Sequence, residues 1–88
     1  MALLSPKVIA QVSCESASDL AAMSWEWVIR ADGQVLYRLT MVGGRRERNP
    51  WSFVTQLPAS QVQSFRRNRA EASAILDSLA REHGHQPR

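Results

Sequence analysis

Apolar and polar residues alternate on both sides of "RADGQ" (residues 30–34), which predicts a β-hairpin. A two-residue turn would mix the two residue classes on both faces of that hairpin. A three-residue loop at residues 31–33, with Gly33 in a left-handed conformation, separates them. The apolar face then pairs Ile29 with Val35, Trp27 with Tyr37 and Trp25 with Leu39. The other face pairs Glu26 with Arg38, Val28 with Leu36 and Ser24 with Thr40.

Two more segments alternate in the same way and predict additional strands. "KVIAQVSCE" (residues 7–15) lies before the hairpin, and "WSFVTQL" (51–57), in which Trp51, Phe53 and Thr55 alternate, lies after it. The connecting segments predict less regular structure. Residues 15–23 are small and polar, which is typical of a loop or one short helical turn, and "GGRRERNP" (43–50) is typical of a charged loop.

The last third of the chain predicts helix. Apolar residues recur there at helical spacing, and they are Val62, Phe65, Ala72, Leu76 and Leu79. Ser60 with Gln63 forms a capping box at the start, and Gly84 marks an end. Asn68 with Glu71 forms a second capping box, so the helix either continues through Asn68 or breaks there.

Together these elements predict one α+β domain of two layers. Its sheet has three or four antiparallel strands, and a C-terminal helix packs on one face. Residues 1–88 make a single domain, ordered from about residue 6 to residue 83, with a frayed tail at 84–88. The only large apolar face available to bury the helix carries Trp25, Trp27, Tyr37 and Leu39, so we expect those side chains in the core.

Composition adds little chemistry to this picture. Cys14 is the only cysteine and no apolar stretch is long enough to span a bilayer, so we expect a cytoplasmic protein without a disulfide or a membrane partner. Gly43-Gly44 lacks the lysine and hydroxyl of a phosphate loop. His83 and His85 fall in the predicted tail, and Cys14 alternates with apolar residues as an inert buried thiol does. We therefore expect a protein that is not an enzyme and has no cofactor or metal.

Charge is concentrated in one part of the chain. Six of the eleven basic residues lie between positions 45 and 69 with only one acid, whereas the remainder has five basic residues and seven acids. Arginines of this kind, beside an exposed indole, favour contact with phosphate or with a partner protein. The candidate contact residues are Arg45, Arg46, Arg48, Trp51, Arg66, Arg67 and Arg69.

That candidate surface has alternatives. If the charged loop at residues 43–50 folded toward the helix, it would join the two arginine groups into one patch. Alternatively, the arginines are solvated surface charges, partly paired within the chain, as Arg67 is with Glu71 at helical spacing. Trp51 either joins the patch or closes one end of the core.

The order of "WEWVIRADGQVLYRL" before "NRAEASAILDSLA" resembles the small arm-type DNA-binding domains of phage integrases. Those domains have a tryptophan-bearing strand, a tight glycine turn, a basic strand and then a helix. The resemblance covers about Trp25 to Ala80, but here "LPASQVQSFRR" and an extra strand intervene and the second strand carries only Arg38. Size and layout also resemble small phage-encoded inhibitors of bacterial defence complexes, including anti-CRISPR proteins, which share no common motif.

Three functions follow as expectations. The first is a non-enzymatic binding protein of phage or mobile-element type that engages a host nucleoprotein complex, such as a CRISPR effector, and inhibits or modulates it. The second is direct binding of DNA or RNA by the same arginines. The third is a homodimeric module that pairs through a sheet edge, with the arginines incidental.

Overall fold

The computed structural model describes residues 7–16 and 22–88, and these form an α+β structure of one sheet and two helices. The strands are β1 (Val8–Ser16), β2 (Met23–Arg30), β3 (Gln34–Val42), β4 (Arg45–Arg46), β5 (Ser52–Gln56) and β6 (His85–Pro87). The helices are α1 (Ala59–Arg67) and α2 (Arg69–Glu82). Most of the segment expected to be a loop or helical turn before β2 lies outside the described residues.

All six strands belong to one antiparallel sheet. Its order is β4-β3-β2-β1-β6, and β5 pairs with β3 as well. Because β2 occupies one edge of β3, β4 and β5 share the other edge. The α+β class is confirmed, but the prediction of three or four strands is wrong, since both very short strands fall where the sequence predicted a charged loop and a frayed tail.

The hairpin register is confirmed over most of its length. Gly33 has φ +88°, and its N–H donates to the Arg30 carbonyl at 2.9 Å, so the loop has three residues. The five pairs from Ile29–Val35 to Trp25–Leu39 form as the sequence predicts, but the pair expected at the end of the hairpin, Ser24 with Thr40, does not. There a bulge sets Ser24 opposite Met41, and the Thr40 hydroxyl donates to the Ser24 carbonyl.

The face of the sheet that the helices cover, called here the inner face, holds the core. Side chains of β1, β2 and β3 meet those of α1 and α2, and the fully buried cluster is Cys14, Trp27, Ile29, Val35, Phe65, Ala72, Leu76 and Ala80. Trp25 and Tyr37 are half-buried and pack against this cluster. The hairpin aromatics are therefore core residues, as the alternation predicts.

The helix breaks at Asn68, which was one of the two alternatives. Its side chain accepts a hydrogen bond from the Glu71 N–H at 3.3 Å, so the second capping signal is used. The first signal is not used, because α1 begins one residue before Ser60, and Pro58 at its N-cap offers no side-chain acceptor. The helical region ends just before Gly84, as expected.

The tail does not fray as expected. Residues 85–87 pair with the end of β1, and the Arg88 N–H donates to the Ser13 carbonyl at 3.1 Å. The physical reason lies in the core, where the Trp27 Nε1–H donates to His85 Nδ1 at 3.0 Å. A buried indole N–H is costly without an acceptor, and this imidazole supplies one.

The molecule is thin in one direction. Its principal extents are 40 × 34 × 17 Å, as two layers of secondary structure require. The face of the sheet opposite the helices, called here the open face, therefore forms one broad side of the protein. Side-chain alternation places Glu26, Val28, Leu36 and Arg38 on it.

Substituting the loop glycine tests the register that the fold uses. A Cβ at Gly33 would lie 2.5 Å from the Leu57 carbonyl oxygen. The N–H of Leu57 donates to the Gly33 carbonyl, and this hydrogen bond holds the Leu57 backbone in place. Gly44 has a similar φ of +81° but open space around it. We expect Gly44→Ala to cost about 1 kcal/mol of unfolding free energy and Gly33→Ala about 2–4 kcal/mol. Equal losses in urea denaturation would contradict the close approach.

Candidate functional site

The open face carries arginines and aromatic rings but no helix among the residues that the structure describes. Two buried apolar residues, Val28 and Leu36, form its floor. Phe53 stands over Leu36 across the β3–β5 pairing and is 58% exposed. Its ring is therefore accessible to a partner that approaches this face.

Arg38 is the most firmly held cation of the open face. Its Nη2 and Nε lie 3.2 and 3.3 Å from the same Glu26 carboxylate oxygen. Its Cζ also lies 4.2 Å from the centre of the Trp51 ring, in cation–π geometry. Each of these contacts is worth only about 0.5–1 kcal/mol at a partly exposed site. Together they restrain the guanidinium between a carboxylate and an indole, and Arg38 with Trp51 is called here the Arg38–Trp51 unit.

A depression of about 650 Å³ adjoins this unit, and its lining is more basic than acidic. The lining residues are Glu26, Arg38, Thr40, Arg46, Glu47, Arg48 and Asn49. Asn49 fixes the wall, because its Nδ2 donates to the Leu39 carbonyl at 2.9 Å. Of the two carboxylates, that of Glu26 is already bound to Arg38, so excess positive charge remains.

Arg46 and Arg48 supply that excess. Both are exposed, and neither forms an ion pair with any residue in the described ranges. Arg45 is the neighbour of Arg46 on β4 but does not line the depression, because consecutive strand residues point to opposite faces. The open face thus holds two of the three loop arginines, with Trp51 held under Arg38 rather than in the core cluster.

The second arginine group lies elsewhere. Arg66 and Arg69 line a depression beside Val8, which pairs with Arg30 at the far end of β2 from Ser24. Six residues of strand separate the two ends, or about 20 Å. A joined patch therefore does not form, because the loop after β3 folds back as β4 onto β3 instead of reaching the helices.

Arg67 is exposed, and no ion pair joins it to Glu71, although both residues are described. The break at Asn68 interrupts the helical spacing that would have brought their side chains together. Arg67 lines neither depression.

Two residues of the open face were missed as site residues. Arg38 was assigned only an ion pair with Glu26, although its parity already placed it on the polar side. Phe53 was grouped with Trp51 and Thr55 by simple alternation, but a bulge in the β3–β5 pairing sets Phe53 opposite Leu36. The pairing with Leu36 puts Phe53 on the open face. The sequence could not show this, because no sequence signal marks the bulge.

The other polar candidates belong to the core. Burial raises the pKa of the Cys14 thiol to about 11, so it stays protonated at neutral pH. Burial also lowers the pKa of His85, with a smaller contribution from His83. Within residues 7–16 and 22–88, no three His, Cys, Asp or Glu side chains are grouped to hold a metal ion. No helix in these ranges is long and apolar enough to cross a membrane.

The buried imidazole makes stability depend on pH. His85 must be neutral to accept the Trp27 N–H, and its pKa in the folded protein lies below the usual 6.5. The unfolded chain therefore binds the proton more readily, so this stabilisation is complete above about pH 6.5 and is lost as pH falls through the lower folded-state pKa.

We expect His85→Leu to cost about 1–3 kcal/mol at pH 7.5, since the indole N–H loses its acceptor, and to flatten the stability curve between pH 5 and 7. Urea denaturation across that range measures both effects. The exposed His83, changed to Gln, is the control and should keep most of the pH dependence. A wild-type curve that is flat in this window would contradict the prediction.

Comparison with known proteins returns no match to a protein-family model, a curated protein or a solved structure. What the chain does must therefore be inferred from the chemistry of its own side chains.

Proposed function

We propose that this chain is a non-enzymatic binding protein, of the small phage or mobile-element type, that inhibits or modulates a bacterial nucleoprotein complex by occupying its surface. The open face makes the contact. The observation that carries the proposal is the pair of exposed arginines, Arg46 and Arg48, which lie beside the Arg38–Trp51 unit and form no ion pair with any described carboxylate.

Phosphate is the chemistry that this arrangement fits best. Guanidinium groups bind phosphate oxygens through two parallel hydrogen bonds, and three of them converge on one depression here. The carboxylate of Glu26 is used internally by Arg38 and so repels an incoming anion less than a free acid would. The nucleic-acid part of a nucleoprotein complex therefore provides the natural docking surface.

The fixed position of Arg38 supports binding as well. A free arginine loses side-chain entropy when it binds, whereas this guanidinium is already held by a carboxylate and an indole. The Asn49 contact to the β3 backbone restrains the neighbouring loop in the same way. The site is therefore largely organised before any partner arrives.

Direct binding of free nucleic acid is a second candidate, and one observation favours it. Phe53 is exposed on a sheet face next to arginines, an arrangement on which an unpaired base can stack. Free single strands would then bind without help from a partner protein. The two candidates differ in whether the nucleic acid alone is sufficient.

Arginine substitutions test the phosphate contact. The probe is a fluorescent 20-nucleotide single strand, and its anisotropy gives the affinity at 50 to 200 mM salt. Arg46→Ala and Arg48→Ala should each weaken binding and each reduce the slope of log affinity against log salt by about 0.7, the value for one phosphate on a single strand. Arg81→Ala removes the same charge from α2, outside the open face, and should leave the slope unchanged.

Phe53→Ala should instead weaken binding of the same strand without changing the salt slope. Loss of one stacked base costs about 1–3 kcal/mol, or roughly five- to 150-fold in affinity. If free strands do not bind at 50 mM salt, a second test takes their place. Co-elution of the chain with a purified CRISPR effector complex would then still support the first candidate, provided that Arg46→Ala/Arg48→Ala abolishes the co-elution. Absence of both kinds of binding would rule out the proposed function.

A further inference from the structure

A second group of cations converges at the opposite end of the sheet, away from the open-face depression. Lys7 precedes β1, Arg66 lies in the last turn of α1, and Arg69 begins α2. We propose that these three side chains form a separate anion-binding site that takes a phosphate group of a nucleic-acid strand. The open-face site does not include them, because Glu26, which lines the open-face depression, lies four residues or about 13 Å along β2 from Arg30, the partner of Val8.

The geometry supports one site rather than three separate surface charges. All three cations line a single depression of about 460 Å³, and the other described residues in its lining are Val8 and Ile9. Among the residues that the structure describes, no acidic side chain lines it. Three converging positive charges repel one another, and an anion bound between them relieves that repulsion.

The three cations are also available to bind an anion. None of the three forms an ion pair within the part of the chain that the structure describes. Arg66 borders a second depression that contains Asp32, but that carboxylate is already occupied. The Asp32 Oδ2 lies 2.8 Å from an Arg30 nitrogen, and the Asp32 Oδ1 accepts a hydrogen bond from the Gln34 N–H.

The helix break positions two of the cations. Asn68 caps α2 through the Glu71 N–H, and its own N–H donates to the Ser64 carbonyl at 3.0 Å, so the two helix ends are joined at a fixed angle. Arg66 and Arg69 stand on either side of this joint. The joint therefore restrains the backbone from which both of these arginines of the depression project.

The lining indicates a phosphate that is attached to something larger. Val8 is 48% exposed at the edge of the depression, and Ile9 is half-buried beside it. These apolar groups can contact the sugar of a nucleotide while the cations hold its phosphate. A strand long enough to reach both sites would bind more tightly than one that reaches a single site.

Backbone NMR distinguishes this site from the open face. The probe is thymidine 5′-monophosphate, a single nucleotide that is too short to span both sites, titrated into the full chain at 50 mM salt. We expect saturable amide shifts at Lys7, Val8 and Arg69. Arg66→Ala/Arg69→Ala should reduce that affinity at least tenfold, whereas Arg46→Ala/Arg48→Ala should leave these shifts in place.

Each other outcome would overturn the assignment. Shifts that are absent, or that persist unchanged in Arg66→Ala/Arg69→Ala, mean that no site exists there. Equal affinity for inorganic phosphate means that the site takes the small ion and not a strand. Tighter binding of a hexaglutamate peptide means that its partner is an acidic protein segment. Because the open face is tested by Arg46→Ala/Arg48→Ala, failure of the proposed function gives a different pattern.

Discussion

The register of the β2–β3 hairpin is the constraint on which the other features depend. Gly33 adopts a conformation that other residues avoid, and it does so in close contact with the Leu57 carbonyl. A slip of one residue would exchange the two faces, exposing Trp27 and burying Arg38. One backbone position therefore decides both which rings form the core and which cations face outward.

The sequence was most informative where a single interaction decided the outcome. Parity alone fixed the pairing of Trp27 with Tyr37, because only one register separates apolar from polar side chains. It was weaker for His85, whose place in the sheet depends on a hydrogen bond to an indole 58 positions away. Local patterns contain no information about such a partner, so a polar tail looked frayed. Likewise, nothing local ranked the Asn68 cap above helix continuation.

The candidate site shows the same division. Charge density indicated Arg46 and Arg48, which do line the open-face depression, and it drew attention to Trp51. It wrongly suggested that those arginines join the helical ones, since proximity in a chain does not give proximity across a sheet. Arg38 was overlooked because its ion pair gave it a sufficient structural explanation. In the folded protein that pair is what holds the cation in position over the ring.

The slab-like shape has a consequence for how so small a protein can act. A plate 40 × 34 Å across and only 17 Å thick shields more of a target than a sphere of equal mass would. Its broad side is comparable in size with the roughly 800 Å² that each partner contributes to an ordinary protein interface. If the chain has the proposed inhibitory function, a few anchoring contacts would be enough to hold it, and the rest of the broad side would block access to the target.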